Sequence, residues 1–382
     1  MIKVITVFGT RPEAIKMAPL VQELQKHPGE IDCKVAVTAQ HREMMDQVLQ
    51  LFDIKPEYDL DVMQPKQTLF DITSRSLTGL ESVYQKEKPD LVLVHGDTST
   101  TFVAALAAFY LQIPVGHVEA GLRTYDKYSP YPEEMNRQLT GVLTDMHFAP
   151  TVQARENLLR EGVPRTKIYV TGNTVIDALL ATVHKGYSFQ DDLLQSIDYN
   201  RRRVLLVTAH RRENLGEPMA DICRAIKDLV LSYTDVEVVF PVHKNPLVRQ
   251  VVEGELQGLE RVHLIEPLDY QPFANLINNC YLVLSDSGGL QEESPALGKP
   301  VLVLRNTTER PEAVAAGTVR LVGTDRQKVV AEAKRLLEDP DDYRNMANII
   351  NPYGDGYASR RIVQAIRVKF GLADTPIEEF AP

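Results

Sequence analysis

The chain has no tryptophan and only three cysteines, Cys33, Cys223 and Cys280, among its 382 residues. They lie far apart and in no ligand spacing, which excludes a disulfide framework or a cysteine zinc site and reads as reduced thiols in a cytoplasmic protein. Positive charge is not in excess either: 42 Lys and Arg stand against 52 Asp and Glu, a formal net charge of −10. That balance argues against a nucleic-acid partner, while leaving room for a local basic pocket that takes a phosphorylated small molecule. Long apolar runs are missing too. The N-terminal run is broken by Gly9 and Arg11, and the most apolar stretch, Phe102 to Leu111, is about half the length of a bilayer span. Neither a signal-peptide core nor a membrane anchor is expected.

What is present is the balance of an ordinary globular protein, 44% apolar and 25% charged. At about 150 residues per domain the length favours two domains. Short β-branched runs alternate with longer helical patterns, the signature of parallel sheets covered on both faces by helices. The first series of expected strands is Lys3–Phe8, Lys34–Thr38, Leu91–His95, Val115–Val118, Met146–Ala149 and Ile168–Val170. The second is Val204–Thr208, Val236–Pro241, Val262–Ile265, Tyr281–Ser285, Pro300–Leu304 and Val319–Leu321. The expected fold is therefore α/β with two Rossmann-like, doubly wound domains. Residues 182–203 lack strand character and read as the linker region; the boundary is placed near Gly172–Asn200, with the domains taken as 1–172 and 173–357.

Open parallel sheets bind ligands outside the carboxyl ends of their strands, so chemistry is sought in the turns. After the first strand, Gly9-Thr10-Arg11-Pro12-Glu13 opens a helix that carries Lys16. Gly9 allows close backbone approach, and Arg11 and Lys16 put two cations near a positive helix end, an arrangement suited to phosphate. Taken alone, a basic residue after a strand is most often a solvated surface group. Asp97 follows the strand 91–95, where an isolated Asp is first read as a helix cap. Glu119 stands at the end of the next strand and Glu133 in the Pro-rich segment that opens a further helix. Three acids converging on one rim repel one another, a cost that scaffolding alone has little reason to carry.

In the second half, His210 follows the strand 204–208 with Arg211 and Arg212 beside it, a candidate for a charged contact to a phosphate or leaving group. His243 occupies a similar position. The segment Ser285-Asp286-Ser287-Gly288-Gly289-Leu290-Gln291-Glu292-Glu293 leads from an apolar strand into a Ser-Gly-Gly turn whose backbone N–H groups can hold a pyrophosphate. Glu293 can accept from vicinal hydroxyls, as a ribose requires. Arg310 supplies another cation before a helix, and Phe273 can stack on a base.

The segments GTRPEAIKMAPL, TAQHREMMDQVL, VHGDTSTT, PVGHVEAGLRT, SPYPEEMNRQLTG, HFAPT, TGNTVIDAL, TAHRREN, SDSGGLQEE and TTERPEA together resemble the non-hydrolysing UDP-N-acetylglucosamine 2-epimerases of bacteria. The resemblance runs in order from Ile2 to about Phe370. It implies a glycosyltransferase-B-like pair of domains with the active site in the cleft, a final helix (about 358–382) that returns to the first domain, and a homodimer. It further implies interconversion of UDP-N-acetylglucosamine and UDP-N-acetylmannosamine, with no metal and no nicotinamide cofactor. Carried over by position, Asp97, Glu119, Glu133 and His210 fall at the reacting sugar. UDP contacts fall on Arg11, Lys16, Leu268, Phe273, Ser287, Gly288, Gly289, Glu293 and Arg310. A second, allosteric UDP-N-acetylglucosamine site would use Gln40, His41, Gln67, Arg211 and His243, with Lys66 standing where some relatives have arginine. The alternatives are a hydrolysing epimerase that releases N-acetylmannosamine and UDP, a glycosyltransferase of the same fold, and a nucleotide-sugar sensor without turnover.

Overall fold

A computed structural model describes residues 1–38, 42–64 and 66–382, the side chains of 42–44 excepted. It divides into two compact units, residues 1–181 with 353–382, and residues 182–352. In the first, β1 (Ile2–Phe8), β2 (Ile31–Val37), β3 (Tyr58–Asp59), β4 (Leu91–His95), β5 (Val115–Val118), β6 (Met146–Ala149) and β7 (Ile168–Val170) form one parallel sheet. Its order is β3-β2-β1-β4-β5-β6-β7. In the second, β8 (Arg203–Thr208), β9 (Val236–Pro241), β10 (Val262–Ile265), β11 (Leu282–Ser285), β12 (Val301–Val303) and β13 (Val319–Leu321) form another, in the order β10-β9-β8-β11-β12-β13. Both are Rossmann-like. The winding reverses between β1 and β4 in one sheet and between β8 and β11 in the other, and such switch points leave a crevice at the strands' carboxyl ends.

The strands earn their place through burial on both faces, which is why they read as near-continuous apolar runs. Every residue of β4 is buried, and Val204 to Val207 of β8 are fully so. On the first sheet Ile5, Val7, Val92 and Val94 pack with Leu80, Tyr84 and the alanine-rich helix Ser99–Tyr110. On the second, Leu205, Val207, Val238, Phe240 and Leu284 pack with Ile222, Ile226 and Leu229 of the helix Glu217–Ser232.

All the strands expected from the sequence are present, several with an end shifted by one residue, and two differences are larger. β2 starts at Ile31, three residues before the expected start, because Ile31 to Cys33 pair with Ile2 to Val4 of β1. β3 is an addition: two residues that pair with Ala36 and Val37, too short to show any alternation. The units also divide at places other than 172/173 and 357/358. Most of the helix Thr174–Thr182 belongs with the first sheet, because the Asn173 N–H donates to the Tyr353 carbonyl at 2.7 Å. The buried Asp177 carboxylate then accepts the N–H groups of Ala358 and Ser359 at 3.2 and 2.7 Å, tying it to the C-terminal helix Ala358–Lys369. That helix lies against the first helix, Arg11–Gln25, and Arg367 makes two bonds to Glu30 at 2.6 and 3.0 Å. The tail beyond it reaches the sheet, where Phe380 N–H donates to Val170.

Gly121, two residues after Glu119, carries the chain away from β5 at φ +89°, and a Cβ there would stand 2.3 Å from the Ala154 carbonyl oxygen. Both the backbone conformation and the clash oppose any side chain. Gly121→Ala should therefore cost about 2–4 kcal/mol, read as a lowered urea midpoint of the first unit.

Candidate active site

In the first unit the helix Arg11–Gln25 begins with a capping box: the Thr10 hydroxyl accepts from Glu13 N–H while the Glu13 carboxylate accepts from Thr10 N–H. Glu13 does more than cap. It is buried, and it also accepts from Gly9 N–H at 3.0 Å and from the hydroxyls of Thr98 and Thr101 at 2.6 and 3.1 Å. Burial pushes its carboxyl above the usual range, against the pull of these hydrogen bonds. The turns that follow β1 and β4 are thereby joined. Gly9 must be glycine, since a Cβ would lie 2.1 Å from the Thr38 hydroxyl. Arg11 sits half-buried at the first helical position and makes no ion pair among the described residues.

Past β4, Gly96 takes φ +67° and its carbonyl accepts from Nε2–H of the buried His117 ring at 2.7 Å. Asp97 then faces Arg137, whose guanidinium donates to its carboxylate at 2.9 Å, while the Asn136 amide holds its carbonyl at 2.9 Å. Burial pushes the Asp97 carboxyl upward; Arg137 and Lys16 oppose the rise and the charge of Glu119 adds to it. Glu119, at the end of β5, is a non-glycine residue at φ +64°. Its carboxylate pairs with the Lys16 ammonium at 2.5 Å and accepts from the Asn173 amide at 2.8 Å. The His95 ring nitrogen lies 4.0 Å from the same oxygen. Asp97 and Glu119 are thus brought into one electrostatic cluster by adjacent strands.

Glu133, the third expected acid, begins the helix Glu133–Leu143, half-buried and without an ion pair among the described residues. Its neighbour Glu134 is fully buried and grips the Arg137 guanidinium at 3.1 Å. Burial alone would raise the Glu134 carboxyl, but bonds from Thr124, Gln138 and Tyr125 and the charge of Arg137 hold it below the usual range. Glu134 therefore fixes Arg137 beside Asp97.

In the second unit the same kind of joint recurs. Asp286, fully buried after β11, accepts from the backbone N–H groups of His210 and Arg211 at 2.9 and 2.8 Å and from the Asn214 amide at 3.0 Å. Asn214 in turn donates to the Leu304 carbonyl. The helix Gly288–Ala296 then starts with Ser287 as its cap residue but without a side-chain cap bond, leaving its first N–H groups for an anion. Glu293 reaches back over this end: a Cβ on Gly289 would lie 3.4 Å from its carboxylate. Arg310 is held by Glu292 and, through the Thr308 hydroxyl and Gln291, by the cap residue's own carbonyl. Arg211 donates to Glu309 at 3.0 Å, and the rings of His210 and His243 stack with centroids 5.2 Å apart. Leu268 and Phe273 flank the start of the helix Tyr270–Asn279, both half-buried.

Comparison with known proteins settles the family. The profile described as UDP-N-acetylglucosamine 2-epimerase matches residues 22–367. The UDP-N-acetylglucosamine 2-epimerase of Bacillus subtilis is 58% identical over 379 residues, covering 99% of this chain and 98% of that one. The chain belongs to the UDP-N-acetylglucosamine 2-epimerase family. Solved structures agree with this isomerase assignment. The S. aureus MnaA–UDP structure is 51% identical with a TM-score of 0.89, each chain covered in full. The UDP-GlcNAc 2-epimerase of Neisseria meningitidis, solved with UDP-GlcNAc bound, is 54% identical with a TM-score of 0.83, covering 95% of this chain and 99% of that one.

For a member of this family the sequence names most of the cluster but not what supports it. Glu13, Glu134, Arg137, Asn173 and Asp286 stand out only through burial and the partners that folding brings to them. Lys16, expected beside the nucleotide, is paired with Glu119. Of the expected allosteric residues, Gln40 and His41 lie outside the described residues. Gln67 folds onto the backbone N–H of Gln64 at 2.9 Å, and the His243 ring accepts from Asn245 N–H at 3.1 Å. Among the described residues no cluster of His, Cys, Asp and Glu is arranged to hold a metal ion, and no helix is long and apolar enough to cross a membrane.

Burial presses three strand histidines of the first unit far down: His95 to about 3, His117 to about 4 and His147 to about 3. A depressed histidine stabilises the fold above its unfolded value of about 6.5 and loses that contribution as pH falls through the folded value. Buried acids with raised values, such as Glu13, act in the opposite direction, so the sign is isolated by difference. The stability gap between wild type and His147→Gln should narrow by about 1.4 kcal/mol per pH unit below about 6.5. Urea denaturation of both proteins between neutral and mildly acidic pH measures it.

Proposed function

We propose that this chain interconverts UDP-N-acetylglucosamine and UDP-N-acetylmannosamine without hydrolysis, by eliminating UDP to 2-acetamidoglucal and adding it back. The C2 proton of this sugar is not next to a carbonyl and has little acidity. Breaking the C1–O bond first lets positive charge develop at C1, so that the neighbouring proton can be removed while UDP departs with the bonding pair. A proton delivered to the opposite face, with the UDP oxygen re-forming its bond at C1, completes inversion.

The observation that carries this reading is the meeting of two neighbouring carboxyl groups in different surroundings. Asp97 pairs with Arg137 at 2.9 Å while burial pushes its carboxyl upward, and Glu119 pairs with Lys16 at 2.5 Å. Two carboxyls whose environments diverge are what an exchange of acid and base roles across one carbon requires. Glu133 is assigned to the same sugar. The diphosphate falls to the uncapped Ser287-Gly288-Gly289 helix start, with Arg11, Arg310 and His210 as its charged contacts. Phe273 and Leu268 take the uracil and Glu293 the ribose hydroxyls. The same reading makes the enzyme a cytoplasmic homodimer that feeds cell-surface polysaccharide synthesis, with Gln40, His41, Gln67, Arg211 and His243 at a regulatory substrate site.

In deuterated water the wild type should place deuterium at C2 of both nucleotide sugars, with the sugar still attached to UDP. Asp97→Asn and Glu119→Gln should each slow that exchange by about 100- to 10,000-fold while leaving UDP affinity nearly intact. Release of free N-acetylmannosamine would establish the hydrolysing alternative, and binding without C2 exchange the sensor.

A further inference from the structure

The Asp286 carboxylate is built for more than its backbone bonds. One oxygen is saturated by the N–H groups of His210 and Arg211 and the amide of Asn214. The other is buried, has no hydrogen bond among the described residues, and stands 3.6 Å from Nδ1 of His210. A buried carboxylate oxygen without a donor is costly, and the imidazole beside it can supply one. The far side of that ring is accessible: the His210 side chain is 39% exposed while Asp286 is wholly enclosed.

We propose that Asp286 is a positioning residue, which takes the Nδ1–H of His210 and so presents Nε2 to the departing diphosphate in one tautomer and one orientation. The inference rests on the reading that His210 meets that diphosphate. In the free protein the neutral ring keeps its proton on Nδ1. When the diphosphate binds, Nε2 takes up a proton from solvent and donates it in a hydrogen bond to a phosphate oxygen, leaving the imidazolium between two anions. The backbone bonds fix the distance, since the same carboxylate that faces the ring also holds the turn that carries it.

Three groups facing His210 bear on its titration. Burial lowers its value, Asp286 raises it, and the stacked His243 and the guanidinium of Arg211 lower it. Arg211 is itself paired with Glu309. Of the three, Asp286 alone favours the charged ring, so its removal should be visible directly.

Asp286→Asn is the test, because the amide oxygen can keep the three N–H donors while the NH2 turns toward His210. An NH2 there donates to Nδ1 and forces the proton onto Nε2. Nitrogen-15 spectra of the histidine rings should show an Nδ1–H tautomer for His210 in the wild type and an Nε2–H tautomer in Asp286→Asn. The ring's pKa should fall by at least about one unit in the variant, and the rise that UDP induces in the wild type should shrink. Turnover should drop by about 10- to 100-fold with KM changed little. An Nε2–H tautomer in the wild type overturns the proposal whether or not the variant folds. So do an unchanged tautomer and pKa in Asp286→Asn. Should His210→Asn keep full turnover, the role of His210 at the diphosphate fails, while the ring spectra still decide the pairing with Asp286.

Discussion

In each unit one buried carboxylate joins the turn after the sheet's first strand to the turn across the switch point. Glu13 binds the N–H groups of Gly9 and Thr10 after β1 and the hydroxyls of Thr98 and Thr101 after β4. Asp286, after β11, binds the N–H groups of His210 and Arg211 after β8. An ionised or hydrogen-bonding group taken out of water at such a place must find several donors, and the donors nearest are those of the turns that follow the strands. The constraint therefore runs both ways. The carboxylate is satisfied only if both turns adopt their shapes, and the turns are held only while the carboxylate is present.

The two units also differ in the groups that their turns present. The first unit brings the ion-paired carboxylates of Asp97 and Glu119 together, and strain accompanies them: Glu119 sits at positive φ, two residues before Gly121, on a chain that also needs Gly96 in the left-handed region. Such conformations persist only where surrounding contacts over-determine them, here the Lys16 and Asn173 partners of Glu119. The second unit supplies an uncapped helix start and cations already engaged with acids, Arg310 with Glu292 and Arg211 with Glu309. Cations held in this way are aimed before an anion arrives, which lowers the ordering cost of binding.

The acids were legible in the sequence because their positions, at the ends of apolar runs and before helical ones, follow from the strand pattern. Asp97, Glu119, His210 and the Ser287–Gly289 turn all stand where that pattern puts them. Glu134 was hidden by its neighbour: two adjacent glutamates open one helix, and only burial distinguishes the one that grips Arg137 from the one that does not. Asp286 was hidden within the Ser285–Glu293 segment, since its three donors lie more than seventy positions upstream.

The alternation of apolar runs and helical stretches determined the two doubly wound sheets, their strand positions and the turns in which to look, because burial on both faces of a parallel sheet leaves no other composition. The motifs of the chain also resemble those of the family to which it belongs. Tertiary structure alone decided that most of the helix Thr174–Thr182 goes with the first unit, and that Glu13, Glu134 and Asp286 are buried among hydrogen-bond donors. It also decided that Lys16 answers Glu119. Those matters depend on hydrogen bonds and ion pairs between residues far apart in the chain, whose free energy is set by burial and distance and leaves no local mark on the sequence.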